Sequence, residues 1–233
     1  MATNGICNSF KVEVLQAAHC FNAVVSTNGT THTNTTLDGL SSTAGIAVGA
    51  AITGGDVGAG AVVASVTSAS ALVMSVAASG STTASRTFTS DAFKFALVKV
   101  SPATTFGPTM TNIGTPGTGA SSTSNLGTDE AATGTGYSSG GIALTNVTPA
   151  LSTTTATTSF SPSPALTLSG AFSCTAGIIY NNSIRLGAAA TPLGGRTVGV
   201  YDFGGTVSVG SSGGTITFTM PVNAAGTAII QIS

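Results

Sequence analysis

The sequence predicts an all-β protein, an antiparallel β-sandwich or barrel with one short N-terminal helix and an inserted small β-module. Three observations predict this class. Apolar residues alternate with Thr or Ser in several short segments, the period of a strand with one buried face. These segments recur every ~10 residues between clusters of Gly, Ser, Thr, Asn and Pro, as the strands of sandwiches and barrels do. Ser and Thr make up roughly 30% of the chain, beside 31 glycines, a composition that suits sheets and turns.

The helix comes first. Across Ser9–Phe21, residues Phe10, Val14, Ala17, Ala18 and Phe21 recur at three- and four-residue spacing and form an apolar stripe. Asn8 or Ser9 is placed to cap it, a side-chain oxygen accepting a free amide of the first turn. Strand patterns follow. Phe93, Phe95 and Leu97 share one face of 93–100, and Leu166, Leu168 and Phe172 alternate with Thr167 and Ser169. In 215–222, Ile216, Phe218, Met220 and Val222 oppose three threonines. Such alternation predicts a sheet covered on one side.

The organisation read from these patterns is a core domain of residues 1–36 and 91–233, with 37–90 as the inserted module. The module is almost free of charge and aromatics and splits into apolar runs at 46–52, 61–66, 72–76 and 86–89. Within it, 43–66 is apolar enough to suggest a membrane span. Its glycines and Asp56 near the centre argue against a helix in lipid, and a Gly54-Gly55-Asp56 turn between two strands is the reading. Residues 104–133, rich in Gly, Thr, Ser and Pro, read as a long loop ordered against a neighbour.

Charge excludes further classes. Only 6% of the 233 residues are charged, six basic and seven acidic, for a net charge of -1. A nucleic-acid partner would need a dense basic field to release counterions, so none is expected. Disorder is opposed by 42% apolar content. The first residues lack the basic and apolar regions of a secretory signal. Cys7, Cys20 and Cys174 are too few for a disulfide scaffold and read as small apolar packers in a reducing cytoplasm.

Candidates for chemistry stay below background. His19, Cys20 and Cys7 fall short of the four compactly spaced ligands of structural zinc. His32 has no nearby carboxylate in sequence, and Asp129-Glu130 reads as solvated loop charge. The glycine-rich 134–141 lacks a P-loop lysine and leads into a strand, which makes it a turn. Glycosylation triplets at Asn28, Asn34, Asn146 and Asn181 are expected by chance in so Thr-rich a chain. No catalytic, cofactor-binding or metal residues are assigned, no cofactor is implied, and an enzyme is not expected.

Six blocks taken together carry a family resemblance: 7–21 (CNSFKVEVLQAAHCF), 93–97 (FKFAL), 134–149 (GTGYSSGGIALTNVTP), 177–181 (GIIYN), 198–205 (VGVYDFGG) and, from 216 to 232, ITFTMP followed by TAIIQI. In this order they resemble small virion structural proteins of tailed bacteriophages. The resemblance implies a non-enzymatic virion component assembled in the host cytoplasm, most simply a capsid decoration or cement subunit. Its partners would be the phage major capsid protein and further copies of itself in a homo-oligomer, with no membrane involved. The alternative is a tail component (tube, collar or fibre subunit) or a host-surface adhesin.

Overall fold

The computed structural model describes residues 2–15, 19–22, 24–89, 91–152, 154–183 and 194–232. In chain order the first elements are β1 (Gly5–Ile6), α1 (Asn8–Leu15), β2 (Val25–Thr31), β3 (Thr36–Asp38), β4 (Ala51–Thr53) and β5 (Val63–Ser68). Next come β6 (Ala71–Met74), β7 (Thr83–Thr89), β8 (Phe93–Val98), β9 (Ile142–Leu144) and β10 (Ala150–Ser152). The last are β11 (Thr155–Thr158), β12 (Ala165–Leu168), β13 (Phe172–Asn181), β14 (Thr197–Val209), β15 (Gly214–Thr217) and β16 (Ile230–Ile232). The fold is all-β and sandwich-like, as the alternation predicts.

The body is built on a five-stranded antiparallel sheet in the order β1-β14-β13-β8-β9. Phe95, Ile179 and Gly199 lie in one cross-strand row, and Leu97, Gly177 and Tyr201 in the next. Phe95 meets Phe218 edge-on at 5.3 Å between ring centroids, and Phe218 reaches Phe203 at 5.5 Å, which closes one side of the sheet. Ala96, Val98, Ile178 and Val200 on the other face join Phe106, Met110, Ile113 and Leu126 in the same buried cluster. The central strands β8 and β13 are therefore covered on both faces, not on the one face that alternation implies. A two-stranded sheet, β12-β15, and a three-stranded sheet, β10-β11-β16, complete the body.

The patterns at 166–168 and 216–218 hold, with Leu166, Leu168, Ile216 and Phe218 buried. The second strand is shorter than its pattern. β15 pairs with β12 only from Leu168 back to Ala165, where Pro164 has no amide to continue the ladder. Beyond it Met220 N bonds the Ser163 hydroxyl at 2.9 Å, and Val222 is exposed.

Residues 104–133 are a long irregular segment held by its own anchors, since Phe106, Met110, Ile113 and Leu126 are buried in the body's core. A short 3-10 turn, Gly127–Asp129, delivers the acidic pair inward.

The six-stranded sheet runs β4-β7-β2-β3-β6-β5 around a second core of Leu37, Ile52, Val63, Leu72, Met74 and Phe88. It starts at Val25, not at residue 37, because β2 is its central strand, paired with β3 on one side and β7 on the other. Alternation of Thr and Ser in 25–31 carries too little apolar signal to attach that strand to either unit. The Gly54-Gly55-Asp56 turn is present, and beyond it the chain bridges back at Ala51 and Val62.

The helix is shorter than its stripe. It runs Asn8–Leu15, with Phe10 buried and Val14 half-buried, while Ala17 and Ala18 lie outside the described residues. His19, Cys20 and Phe21 are not helical. Phe21 still reaches the core by stacking on Phe93 at 4.6 Å. Neither predicted residue caps the helix. The first turn begins with Lys11 N bonding Cys7 O, and Asn8 Oδ1 accepts from Lys11 Nζ at 3.3 Å.

Candidate functional site

Seven carboxylates are available in the sequence, and four of them, Glu13, Asp91, Asp129 and Glu130, are buried. Carboxylates are found inside proteins when they are paired or hydrogen-bonded, and each of these accepts hydrogen bonds.

Asp129 and Glu130 are not solvated loop charge. Asp129 accepts from the amides of Ala103 and Thr104 at 3.0 and 2.8 Å and pairs with Lys99 Nζ at 3.0 Å. Glu130, where the chain leaves the 3-10 turn and becomes extended, is held by a different set of partners. It accepts from the Tyr137 hydroxyl at 2.9 Å, the Ser139 hydroxyl at 2.8 Å and the Gly140 amide at 2.7 Å. The glycine-rich 134–141 is thus a turn moulded on a buried carboxylate. Tyr137 also accepts from Leu97 N, and Tyr180 donates to Gly140 O at 2.6 Å. Burial pushes the Tyr180 phenol up to about 12, with Glu130 adding to the rise, so it stays a donor across the physiological range.

Burial alone would raise Asp129, but the Ala103 and Thr104 amides and Lys99 outweigh it and hold the carboxyl below its ordinary range. A depressed carboxyl stabilises the fold above the unfolded-state value, about pH 4, and that stabilisation is lost as pH falls through the lower folded value. Asp129→Asn should therefore be less stable than the parent at pH 6, with the gap narrowing towards pH 3. Urea unfolding at the two pH values checks this.

In the module, Arg86 is fully buried. Nε donates to Gly29 O at 3.3 Å, Nη1 to Gly54 O, and Nη2 to Thr82 O at 2.8 Å and Asp56 Oδ1 at 3.3 Å. Asp56 also accepts from Thr31 Oγ1 at 2.6 Å and Thr82 Oγ1 at 2.8 Å. The Thr31 bond, helped by Thr82 and Arg86, holds the Asp56 carboxyl below its usual range despite some desolvation.

The third cluster lies where the chain passes between body and module. Asp91 N donates to Cys20 O at 3.0 Å, and Cys20 N donates to Asp91 Oδ2 at 2.9 Å. Asn181 Nδ2 lies 2.7 Å from the same Asp91 oxygen and 2.9 Å from His19 Nδ1. His19 Nε2 meets Glu13 Oε2 at 2.8 Å, and Glu13 Oε1 meets Arg196 Nη1 at 3.1 Å. Both ring nitrogens of His19 are engaged, and its side chain is fully buried. Buried Asn181 carries one of the glycosylation triplets.

His32 does have a carboxylate partner, Asp38 Oδ2 at 3.1 Å across the β2–β3 hairpin, with both side chains well exposed. The Thr30–Asp38 register creates this pair, and a carboxylate six residues away across a tight hairpin was the signal for it.

The three cysteines are free and buried. Burial pushes the Cys174 thiol up to about 12 and also raises Cys7, so neither forms the thiolate that reacts. A thiol reagent such as DTNB should label none of the three in native protein and all three after denaturant is added. A non-reducing gel should show no cross-linked species.

Among the described residues no cluster of three or more His, Cys, Asp or Glu could hold a metal, and no helix is long and apolar enough to cross a membrane. An apolar concavity of about 380 Å³ lies between Phe95, Phe203, Phe218, Ile179, Met220 and Ile229. No protein family, characterised protein or solved structure matches this chain.

What remains outside is a surface with little charge. The outward rows of β2 and β7 are hydroxyls and one amide: Ser26 beside Thr87, Asn28 beside Ser85 and Thr30 beside Thr83. Ser26 and Thr87 hydroxyls meet at 3.2 Å, and those of Thr30 and Thr83 at 2.8 Å. On the three-stranded sheet, Leu151, Ala156 and Ile232 form an exposed apolar row.

Proposed function

We propose that this protein is a non-enzymatic subunit of a tailed-bacteriophage virion, a capsid decoration or cement protein that binds the outer head surface. One observation carries the reading. Of an already small charge complement, Glu13, Arg86, Asp91, Asp129 and Glu130 are withdrawn into the interior, and the sheets present neutral hydroxyl and apolar surfaces. Such surfaces suit lateral packing on neighbouring subunits, where shape and repetition supply affinity. About 1,000 Å² or more of buried surface per contact, multiplied over identical sites, holds a shell subunit without a charge pattern.

The test is copy number and location. Quantitative mass spectrometry of purified particles should give hundreds of copies, retained on tailless heads. A second reading, a tail component or host-surface adhesin, draws on the phenylalanine-lined concavity at Phe95, Phe203 and Phe218, a place for an apolar or sugar face to rest. Six to a few dozen copies, lost together with the tail, would select that second reading. Absence from particles would overturn both.

A further inference from the structure

The geometry points to a proton-sensitive clamp at the joint between body and module, with His19 as its titrating group. The chain leaves the body at 19–22 and returns at 91, and the two passages are tied by the reciprocal Cys20–Asp91 bonds. The tie is anchored to the body by the amide of Asn181, which donates to Asp91 Oδ2. The same amide sets the tautomer of the neutral ring.

Asn181 Oδ1 accepts from Ser183 N at 2.8 Å, so Nδ2 is the atom turned towards both Asp91 and His19. His19 Nδ1 must then accept, and Nε2 carries the proton to Glu13. A second proton has only Nδ1 to occupy, where it would face the Asn181 amide hydrogens. Rotating the amide relieves that clash, but it turns an oxygen on the Asp91 carboxylate and a donor on the Ser183 amide. Either arrangement breaks the anchor.

Among the described residues, the charged and titratable groups turned towards this ring are Glu13 from α1, Asp91 from the return passage and, through Glu13, Arg196 from the approach to β14. Phe10 and Phe21 pack on it with centroids at 4.9 and 6.2 Å, and Phe93 from β8 at 6.3 Å. Glu13 and Asp91 attract a proton to the ring, while Arg196 and burial among the phenyl rings oppose one. Histidine ordinarily titrates near pH 6.5, within reach of mild acidification. The clamp is closed with a neutral ring and loosens once the ring is charged. It swings no catalytic group; it loosens the joint locally, while Asn146 Nδ2 on Asp91 O and the Phe21–Phe93 stack still hold the passages to the body. This device stands whether or not the protein belongs to a virion.

Hydrogen exchange on the full chain at about pH 7.5 and pH 5.5, corrected for the intrinsic rate, tests it. Protection of the Cys20 and Asp91 amides should fall about tenfold at the lower pH, the effect of one hydrogen bond. Amides within β2 and β13 should keep theirs. His19→Gln retains an amide donor and acceptor without a titrating ring and should show no such fall. Unchanged protection in the parent chain, or an equal fall in H19Q, would overturn the clamp. If H19Q does not fold, nitrogen NMR of His19 decides. A bare Nδ1 at pH 7.5 that gains a proton as protection falls supports it. A proton on Nδ1 at pH 7.5, or a ring still neutral at pH 5.5, refutes it.

Discussion

Arg86→Met should destabilise the module by on the order of 3 kcal/mol, although methionine matches much of the volume of arginine. The guanidinium sits where Gly29, Gly54 and Thr82 present their carbonyls and Asp56 its carboxylate. Removing it leaves these acceptors facing one another with no donor between them. Gly54 and Gly55, at φ of 115° and 57°, form the turn that brings the Gly54 carbonyl to the arginine. Side chains other than glycine adopt those angles at a cost. Arg86→Lys should rescue only partly, because one ammonium cannot reach acceptors arrayed around a planar fork. Chemical unfolding followed by circular dichroism reads the loss. A change below about 0.5 kcal/mol, the size of an ordinary surface effect, would refute the keystone role.

Gly177→Ala should cost roughly 3 kcal/mol, at the upper end of the range for overpacking a filled core. Gly177 lies beside Leu97 in the middle of the body sheet, and a Cβ there would overlap the ring of Phe95. To make room, that ring must shift against Phe218, at 5.3 Å, and Phe203, at 6.3 Å. Glycine in mid-strand normally weakens a sheet; here its missing side chain seats an aromatic one. The double substitution Gly177→Ala with Phe95→Leu should be less destabilised than the sum of its parts, because the smaller side chain vacates the clash. Additivity within about 0.5 kcal/mol would show that the two positions do not share this contact.

The same glycine shows why some elements can be read from sequence and others cannot. Alternation at 166–168 and 216–218 is a local signal, and it placed those strands and their buried faces correctly. In 93–98 the alternation named one buried face, yet both are buried, because 104–133 lays Phe106, Met110, Ile113 and Leu126 against the other. Nothing local to 93–98 records that cover. β2 was assigned to the body for a similar reason, as its Ser, Thr and Asn side chains are silent about which strands lie beside it.

The polar interior shows the same limit. Asp129 and Glu130 look like surface charge because carboxylates usually are. Their partners, Lys99, Ala103 and Thr104 on one side and Tyr137, Ser139 and Gly140 on the other, are ordinary residues until the chain folds. His19 reads as helix-end packing, but it is not helical and its ring enters a hydrogen-bonded joint with Asn181, far along the chain.

By itself the sequence determined the strand-rich class, the scarcity of charge and the turn chemistry, because each depends on composition or on neighbours within a few residues. Only the tertiary structure decided where the charges went and which strands share a sheet. Burying a charge or completing a ladder depends on partners brought from distant parts of the chain, and such partnership leaves no local pattern.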